Sequence, residues 1–293
     1  MLSEQVLRSG LRRYWGLDEV TVAVHNGGMG SATWFVGHDG ARWVAKAVAA
    51  EAGGQFAGGL RLAQRLERAG IPAGAPLATA SGQIAVELAD CRLAVLAWVP
   101  GHPLTGQRAA ERRVIGTTLA RAHRVLAGHG TDGAQRFHWV DPDAGHLSLR
   151  PWLRPAIAAA LATLDAADPG SMSWGLLHAD PAPEAFRLDP PTGRCGVIDW
   201  SYFLRGPLLY DLASAVMYAG GPARAGDLIQ AYLDQGMVTR AEIQDGLAAM
   251  LRFRWAVQAN YFAWRIAAND LTGISGPAEN EKGLEDARRS LTF

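Results

Sequence analysis

Strand-type and helix-type hydrophobic patterns occupy different parts of this chain, and that segregation restricts the folds open to it. The first hundred residues read mainly as short apolar runs broken by glycine, and the remainder mainly as apolar residues at helical spacing. One amphipathic helix is expected early, over residues 3–15, with Val6, Leu7 and Leu11 on one side. Strands are expected at 20–24, 32–36 and 42–48. A glycine-rich segment joins the first two, and His38-Asp39-Gly40 joins the next pair with chemistry that favours a hairpin. A helix over about 54–69 ends at Gly70, and Pro72 and Pro76 lead the chain away from it. Two further strands are expected at 83–87 and 92–98, and Val99-Pro100-Gly101 breaks the second. Helices then follow over 107–128, 151–166, 208–218, 222–236, 239–272 and 279–291. An open sheet of about five strands followed by a mainly helical half is an α+β fold with segregated classes. The expected division is a lobe over 1–100 and a second over 101–293, with no internal repeat or low-complexity segment.

The helical half has one strand-like interruption, at 174–200. Leu176-Leu177 leads to His178-Ala179-Asp180, and nineteen residues after Asp180, Val197-Ile198 leads to Asp199-Trp200. Asp189-Pro190-Pro191-Thr192-Gly193 between them is turn chemistry. The expectation is a hairpin-like pair of strands, each delivering an aspartate to the same end. Two carboxylates held together repel unless a cation lies between them. A divalent metal carrying phosphate meets that need.

Charge usage adds a third residue. The formal net charge is zero and no Lys/Arg block stands out, so a nucleic-acid partner is not expected. Only two of the 28 basic residues are lysines, Lys46 and Lys282. Lys46 lies in mid-strand, flanked on its own face by Val44 and Val48. An ammonium there needs an anion, and the α- and β-phosphate oxygens of a nucleotide would serve. One hairpin earlier comes Asn26-Gly27-Gly28-Met29-Gly30-Ser31. Glycine lets backbone N–H groups approach phosphate, and Ser31 adds a hydroxyl donor. No Gly-Lys-Ser/Thr follows, so this is not a Walker A loop. Cys91 and Cys195 lack disulfide-framework or metal spacing and are expected as buried small hydrophobes. The N-terminus lacks a signal-peptide core, and no stretch approaches the roughly 18 apolar residues of a membrane span. A cytoplasmic protein without a membrane partner is expected.

His178-x-Asp180 followed by Ile198-Asp199-Trp200 resembles the aminoglycoside phosphotransferase and choline kinase family, small-molecule kinases built like protein kinases. In layout the resemblance covers nearly the whole chain, while its specific motifs are Lys46 and residues 174–213. It implies a protein-kinase-like bilobal fold, with a nucleotide-binding N-terminal lobe and a C-terminal lobe for catalysis and acceptor binding. It implies Asp180 as catalytic base, Asp199 as magnesium ligand and Lys46 on the nucleotide phosphates. The passage at Trp98 and Val99 would be the hinge that binds adenine. His178 and Asp211, the latter in Tyr210-Asp211-Leu-Ala, would brace the catalytic loop. The family has an asparagine five residues after the first aspartate. Ala185 stands there and cannot ligate metal, and Glu184 is the nearest replacement. Such kinases pair the lysine with a glutamate on the following helix, where this chain has Gln55, Gly58 and Gly59. C-terminal helices line the acceptor pocket in the family, which makes Trp264 and Asp270 acceptor-site candidates, with Tyr202, Glu279 and Glu281 beside them. The implied cofactors are ATP or GTP and Mg2+, and the implied partner is a small hydroxylated molecule. An aminoglycoside or peptide antibiotic, a sugar, a choline-like alcohol and homoserine all stay open. The alternatives are a non-catalytic pseudokinase that binds nucleotide or ligand, and a protein that sequesters an antibiotic.

Overall fold

A computed structural model describes residues 2–25, 28, 30–130 and 134–291. Asn26, Gly27 and Met29 of the glycine-rich segment lie outside the described residues. In chain order the first elements are α1 (Glu4–Trp15), β1 (Thr21–His25), β2 (Ala32–His38), β3 (Ala41–Ala49), α2 (Gly53–Arg68), β4 (Val86–Leu88), β5 (Cys91–Ala97) and β6 (His102–Pro103). Next come α3 (Ala109–Leu126), β7 (Gln135–Arg136), α4 (Leu153–Ala166), β8 (Trp174–Leu177), β9 (Phe186–Asp189), β10 (Arg194–Val197) and β11 (Leu204–Pro207). The chain finishes with α5 (Leu208–Tyr218), α6 (Gly226–Leu233), α7 (Arg240–Ala267) and α8 (Pro277–Leu291).

Packing divides these elements into two units. The first comprises Met1–Pro103, His129–Ala134 and Ala185–Phe203. Its antiparallel five-stranded sheet has the order β1-β2-β3-β5-β4. The β2–β3 turn puts Asp39 (φ 47°) and Gly40 (φ 77°) in the left-handed region. That two-residue geometry matches the twist of the flanking strands. α1 begins at Ser3, whose hydroxyl accepts the Val6 amide, and stops at Gly16 with φ 67°. Its Leu7 and Leu11 pack on Ala45, Ala47, Leu93 and Val95 on one face of the sheet. Phe56 and Leu60 of α2 pack on Val48 and Ala94 on the opposite face. A smaller sheet, β10-β9-β6, completes the unit.

The expected carboxylate hairpin over 174–200 does not form. β8 pairs with β11 in the second unit, and β10 pairs with β9 in the first. The turn at Asp189–Gly193 closes β9 onto β10, with the Gly193 amide donating to the Asp189 carbonyl at 2.8 Å. Each of these strands has four residues, too few for alternation to identify a partner. β11 is further disguised by Gly206 and Pro207, both poor strand formers. Gly206 is needed because a Cβ there would lie 2.7 Å from the Cβ of Phe137.

The second unit comprises Leu104–Gly128, Gln135–Glu184 and Leu204–Phe293. It holds the sheet β7-β11-β8 and the helices α3 to α8. α7 stops at Ala267 rather than at 272, and Asn269 (φ 50°) turns the chain. α6 starts at Gly226 rather than at 222, after the Gly220-Gly221-Pro222 break. Near the start of α3, Glu111 is buried and accepts the Thr105 amide (3.1 Å), the Thr105 hydroxyl (2.7 Å) and Arg108 Nε (2.8 Å). The Thr105 hydroxyl, aided by Arg108 and opposed by burial, holds this carboxyl at about 2, against the ordinary 4.5. A carboxylate depressed on folding stabilises above its unfolded value, and that contribution fades as pH falls through the folded one. Glu111→Gln is therefore expected to flatten the loss of stability between pH ~5 and pH ~2 in urea titrations. Parallel acid limbs in the two proteins would contradict this.

Cys91 and Cys195 are half-buried, less enclosed than the sequence suggested. Cys91 opens β5 and Cys195 lies on the short β10. No helix among the described residues is long and apolar enough to cross a membrane.

Candidate active site

In the first unit, Lys46 lies on the central strand β3, directly opposite Thr33 on β2 and Ala94 on β5. Its side chain is 9% exposed, and Nζ donates to Asp199 Oδ1 at 2.5 Å. A buried ammonium requires such pairing. α2 does not supply the carboxylate. Its one acidic residue, Glu67, accepts the Ala73 amide at 3.0 Å. What α2 brings instead is Gly59, where a Cβ would lie 2.2 Å from the Trp200 carbonyl oxygen. The helix runs against the backbone just after Asp199, and only glycine fits at that approach. Asp199 itself takes φ 71°, ψ 58°. That conformation costs a non-glycine residue about 1–2 kcal/mol and tends to persist where function requires it. Trp200 anchors the turn, with its ring buried and Nε1 donating to the Val197 carbonyl at 3.0 Å.

Residues opposite one another in a sheet share a face, as do residues two apart. Val44, Phe35 and Leu96 therefore form the next row beside Lys46, on its side of the sheet. Trp98 lies beyond them, its ring centroid 5.6 Å from that of Phe35 and 3.8 Å from the Arg42 guanidinium. Val99 is buried, and Ser31 is half-buried just before β2. Tyr202, expected among acceptor-site residues, lies in this first unit against Gly30. A Cβ on Gly30 would fall 1.3 Å from the Tyr202 hydroxyl oxygen, so no larger residue is accommodated while Tyr202 is there.

In the second unit, Asp180 follows β8 on a loop held from beneath by Asp211. The Asp211 side chain is fully buried. Its Oδ2 accepts the His178 amide at 2.6 Å and its Oδ1 the Ala179 amide at 2.9 Å. His123 Nε2 lies 2.9 Å from Oδ2, and the acceptor-only carboxylate makes that nitrogen the donor. The other ring nitrogen lies 2.7 Å from the Tyr232 hydroxyl. Within the loop, Ala179 takes φ 74°, and the buried His178 ring accepts the Asp180 amide through Nδ1 at 3.3 Å. The Asp180 side chain stays 56% exposed, with Tyr218 Oη donating to its Oδ1 at 2.5 Å and Arg254 Nη2 at 3.1 Å.

Sequence reasoning missed Tyr218, Ser214 and Arg254. A signal was present for two of them. Asp211, Ser214 and Tyr218 recur at i, i+3 and i+7 on a helix otherwise rich in apolar residues, which makes a polar stripe on one face. Arg254, one of four arginines on the 28-residue α7, had no such signal.

The remaining candidates are more dispersed. Glu184 is exposed on a short turn beside the buried Ala185. Among the described residues, no three His, Cys, Asp or Glu side chains converge as a metal-binding group. Trp264 on α7 is 46% exposed and lies beside Tyr261. Asp270 is engaged in the corner between α7 and α8, where its Oδ1 accepts the Thr272 amide at 2.9 Å and its Oδ2 lies 3.4 Å from Arg265. Burial opposes its ionisation, but Thr272 and Arg265 hold the carboxyl below the usual carboxylate range. Glu279 accepts the Ser275 amide, and Glu281 pairs with Arg150 at 3.0 Å.

Comparison with known proteins adds relatives to this geometry. The model of the phosphotransferase enzyme family matches residues 21–244. The homoserine kinase of Xanthobacter autotrophicus is 31% identical over 160 residues, which cover 52% of this chain and 49% of that protein. The homoserine kinase of Azorhizobium caulinodans is 29% identical over 164 residues, again 52% and 49% of the two chains. The chain thus spans about half the length of the curated relatives it matches. Among solved structures, amicoumacin kinase in complex with AMP-PNP and Ca2+ superposes with a TM-score of 0.74 at 15% identity, covering 99% of this chain and 93% of the other. A microcompartment-associated aminopropanol kinase gives 0.73 at 16% identity, with 99% and 95% coverage. Spectinomycin phosphotransferase in complex with ADP and spectinomycin gives 0.70 at 13% identity, with 100% and 99% coverage. At these identities the likeness speaks to the fold, which is the protein-kinase-like, bilobal α+β architecture expected from the sequence.

Proposed function

This chain belongs to the phosphotransferase enzyme family, and from that premise we propose that it transfers the γ-phosphoryl group of ATP or GTP to a hydroxyl of a small polar molecule. The observation that carries the reading is the buried Lys46 ammonium, held 2.5 Å from Asp199 on the sheet face that also bears Phe35, Leu96 and Trp98. A nucleotide along that face would have its base by Trp98 and Val99 and its phosphates by Lys46 and Ser31. We assign Tyr202 to the same end, through its contact with Gly30. The first unit is thus the nucleotide-binding lobe, and the second the lobe for catalysis and acceptor binding.

Mg2+ is usually held at nucleotide sites by one or two carboxylates together with phosphate oxygens, so a cage of three protein ligands is not needed. The half-exposed Asp199 carboxylate fits that donor set, and the exposed Glu184 is the candidate for a second ligand where Ala185 offers none. When bound, the metal supplies charge neutralisation at the phosphates. Asp180 orients the acceptor hydroxyl and takes its proton, while Asp211 and His178 fix the loop that carries it. Trp264 is the acceptor-side candidate with exposed surface to offer. Asp270 is assigned to the helix corner that Arg265 organises.

The homoserine kinase relatives favour a small amino alcohol as the acceptor. A second reading, an antibiotic as acceptor, draws on the similarity to amicoumacin kinase and spectinomycin phosphotransferase. The test is a nucleotide-consumption screen with Mg-ATP and Mg-GTP against homoserine, aminopropanol, choline, sugars and hydroxylated antibiotics, with Asp180→Asn as control. Turnover with one acceptor class, lost in Asp180→Asn, is the expected result. A protein that binds no Mg-nucleotide by calorimetry, or an Asp180→Asn variant as active as the parent, would sink the proposal.

A further inference from the structure

We infer that Arg254 and Tyr218 are positioning residues for phosphoryl transfer, which together fix Oδ1 of Asp180 and leave Oδ2 to receive the acceptor hydroxyl. The inference rests on the assignment of Asp180 made above. Its geometry lies wholly within the second unit.

Arginine has only donors to offer, and a tyrosine hydroxyl has a single proton. Arg254 Nη2 donates to Tyr218 Oη at 3.2 Å, so the tyrosine proton is left to point at Asp180 Oδ1, 2.5 Å away. The same Nη2 reaches Oδ1 at 3.1 Å, and Nε donates to the buried Ser214 hydroxyl at 3.1 Å. Ser214 and Tyr218 are four residues apart on α5, so the guanidinium is gripped along one helical face. Asp211, one turn before Ser214 on that face, holds the amides of His178 and Ala179. One face of α5 therefore sets both the backbone of the loop and, through Tyr218, the rotation of its carboxylate.

A carboxylate with one oxygen held by two donors, one of them charged, presents its other oxygen in a defined direction. In the transfer, a bond forms between the acceptor oxygen and the γ-phosphorus. The bond from that phosphorus to the β–γ bridging oxygen breaks, and the oxygen leaves on the nucleoside diphosphate. The hydroxyl proton passes to Oδ2 of Asp180. Tyr218 is a donor and not a second base, because burial, reinforced by Asp180, pushes its hydroxyl well above the ordinary tyrosine value. Arg254 stays charged: burial opposes this, but the Asp180 carboxylate that Nη2 contacts outweighs it.

The test compares Tyr218→Phe, Arg254→Lys, Arg254→Met and Asp180→Asn in Mg-ATP turnover, with homoserine and with water as acceptors. Thermal melting and Mg-ATP affinity are measured on the same preparations. Tyr218→Phe keeps the ring and loses only the hydroxyl. It should lower kcat by about tenfold or more, with Mg-ATP affinity within about twofold of the parent and an unchanged melt. Arg254→Lys should retain more kcat than Arg254→Met. A Tyr218→Phe variant with parental kcat beside an inactive Asp180→Asn would overturn the inference while leaving the role of Asp180 intact. Equal kcat in Arg254→Lys and Arg254→Met at matched stability would overturn it as well. An Asp180→Asn variant with parental kcat would instead refute the assignment of Asp180, and the inference with it. If Arg254→Met does not fold, Tyr218→Phe alone decides.

Discussion

Asp211→Asn should destabilise the second unit by about 3–5 kcal/mol, because it breaks a buried charged hub without relieving the groups around it. The Asp211 side chain is fully buried and receives three hydrogen bonds, from the His178 amide, the Ala179 amide and His123 Nε2. Asparagine keeps the size but replaces one acceptor oxygen with an NH2 group. Whichever way the amide is turned, at least one backbone or ring N–H then faces another donor. A hydrogen bond to a charged group contributes about 1.5–3 kcal/mol, and a buried donor left unmet costs about 1–3 kcal/mol. The expected fall in melting temperature is ~10 °C, since about 2–4 °C accompanies each kcal/mol in a chain of this order of size. Hydrogen exchange gives a sharper reading. The amides of His178 and Ala179 should lose protection before those of β8 do, and turnover should fall with them because they carry Asp180. A variant that melts within about 2 °C of the parent, with both amides still protected, would show that the loop is held by something else.

Much of this was written in local sequence, and the part that was not has a common cause. The five-stranded sheet, the Asp39-Gly40 hairpin turn and the position of Lys46 on β3 depend on neighbours a few residues apart, and period and turn chemistry report those. The pairing of β8 with β11 rather than with β10 depends on which four-residue strand meets which, and short apolar runs carry no such address. The helix after β3 is where the resemblance places a carboxylate for Lys46, and α2 has Gly59 shaped for backbone contact with the turn at Trp200 instead. The grip of Arg254 on Asp180 joins residues 74 apart along the chain, and neither residue type marks the other in sequence. Periodicity recovers the faces of elements, while the contacts that orient a functional carboxylate arise from packing.

Lys46→Met is expected to separate activity from stability in the first unit. The parent ammonium is buried and bonded to Asp199, whereas the Asp199 side chain is 49% exposed. Methionine is close to lysine in length, and it can fill the space between Thr33 and Ala94 without a charge to desolvate. The carboxylate left behind is solvated, so it does not become an unpaired charge in the core, and the melting temperature should stay within a few degrees of the parent. Catalysis has no such relief. A fixed cation aimed at phosphate acts as a preorganised electrostatic donor, and removing one such group typically lowers turnover by about 100- to 1,000-fold. Steady-state kinetics over Mg-ATP concentration, with melting on the same preparations, checks both halves. A variant within about threefold of parental kcat/KM would mean that Lys46 serves only to fold the Asp199 turn, and then Lys46→Met should melt early rather than turn over slowly. Lys46→Arg extends the test, because a guanidinium restores the charge but not the compact ammonium that the row beside Thr33 and Ala94 encloses. Activity low in both variants, with an unchanged melt, is the outcome that assigns the lysine to the nucleotide.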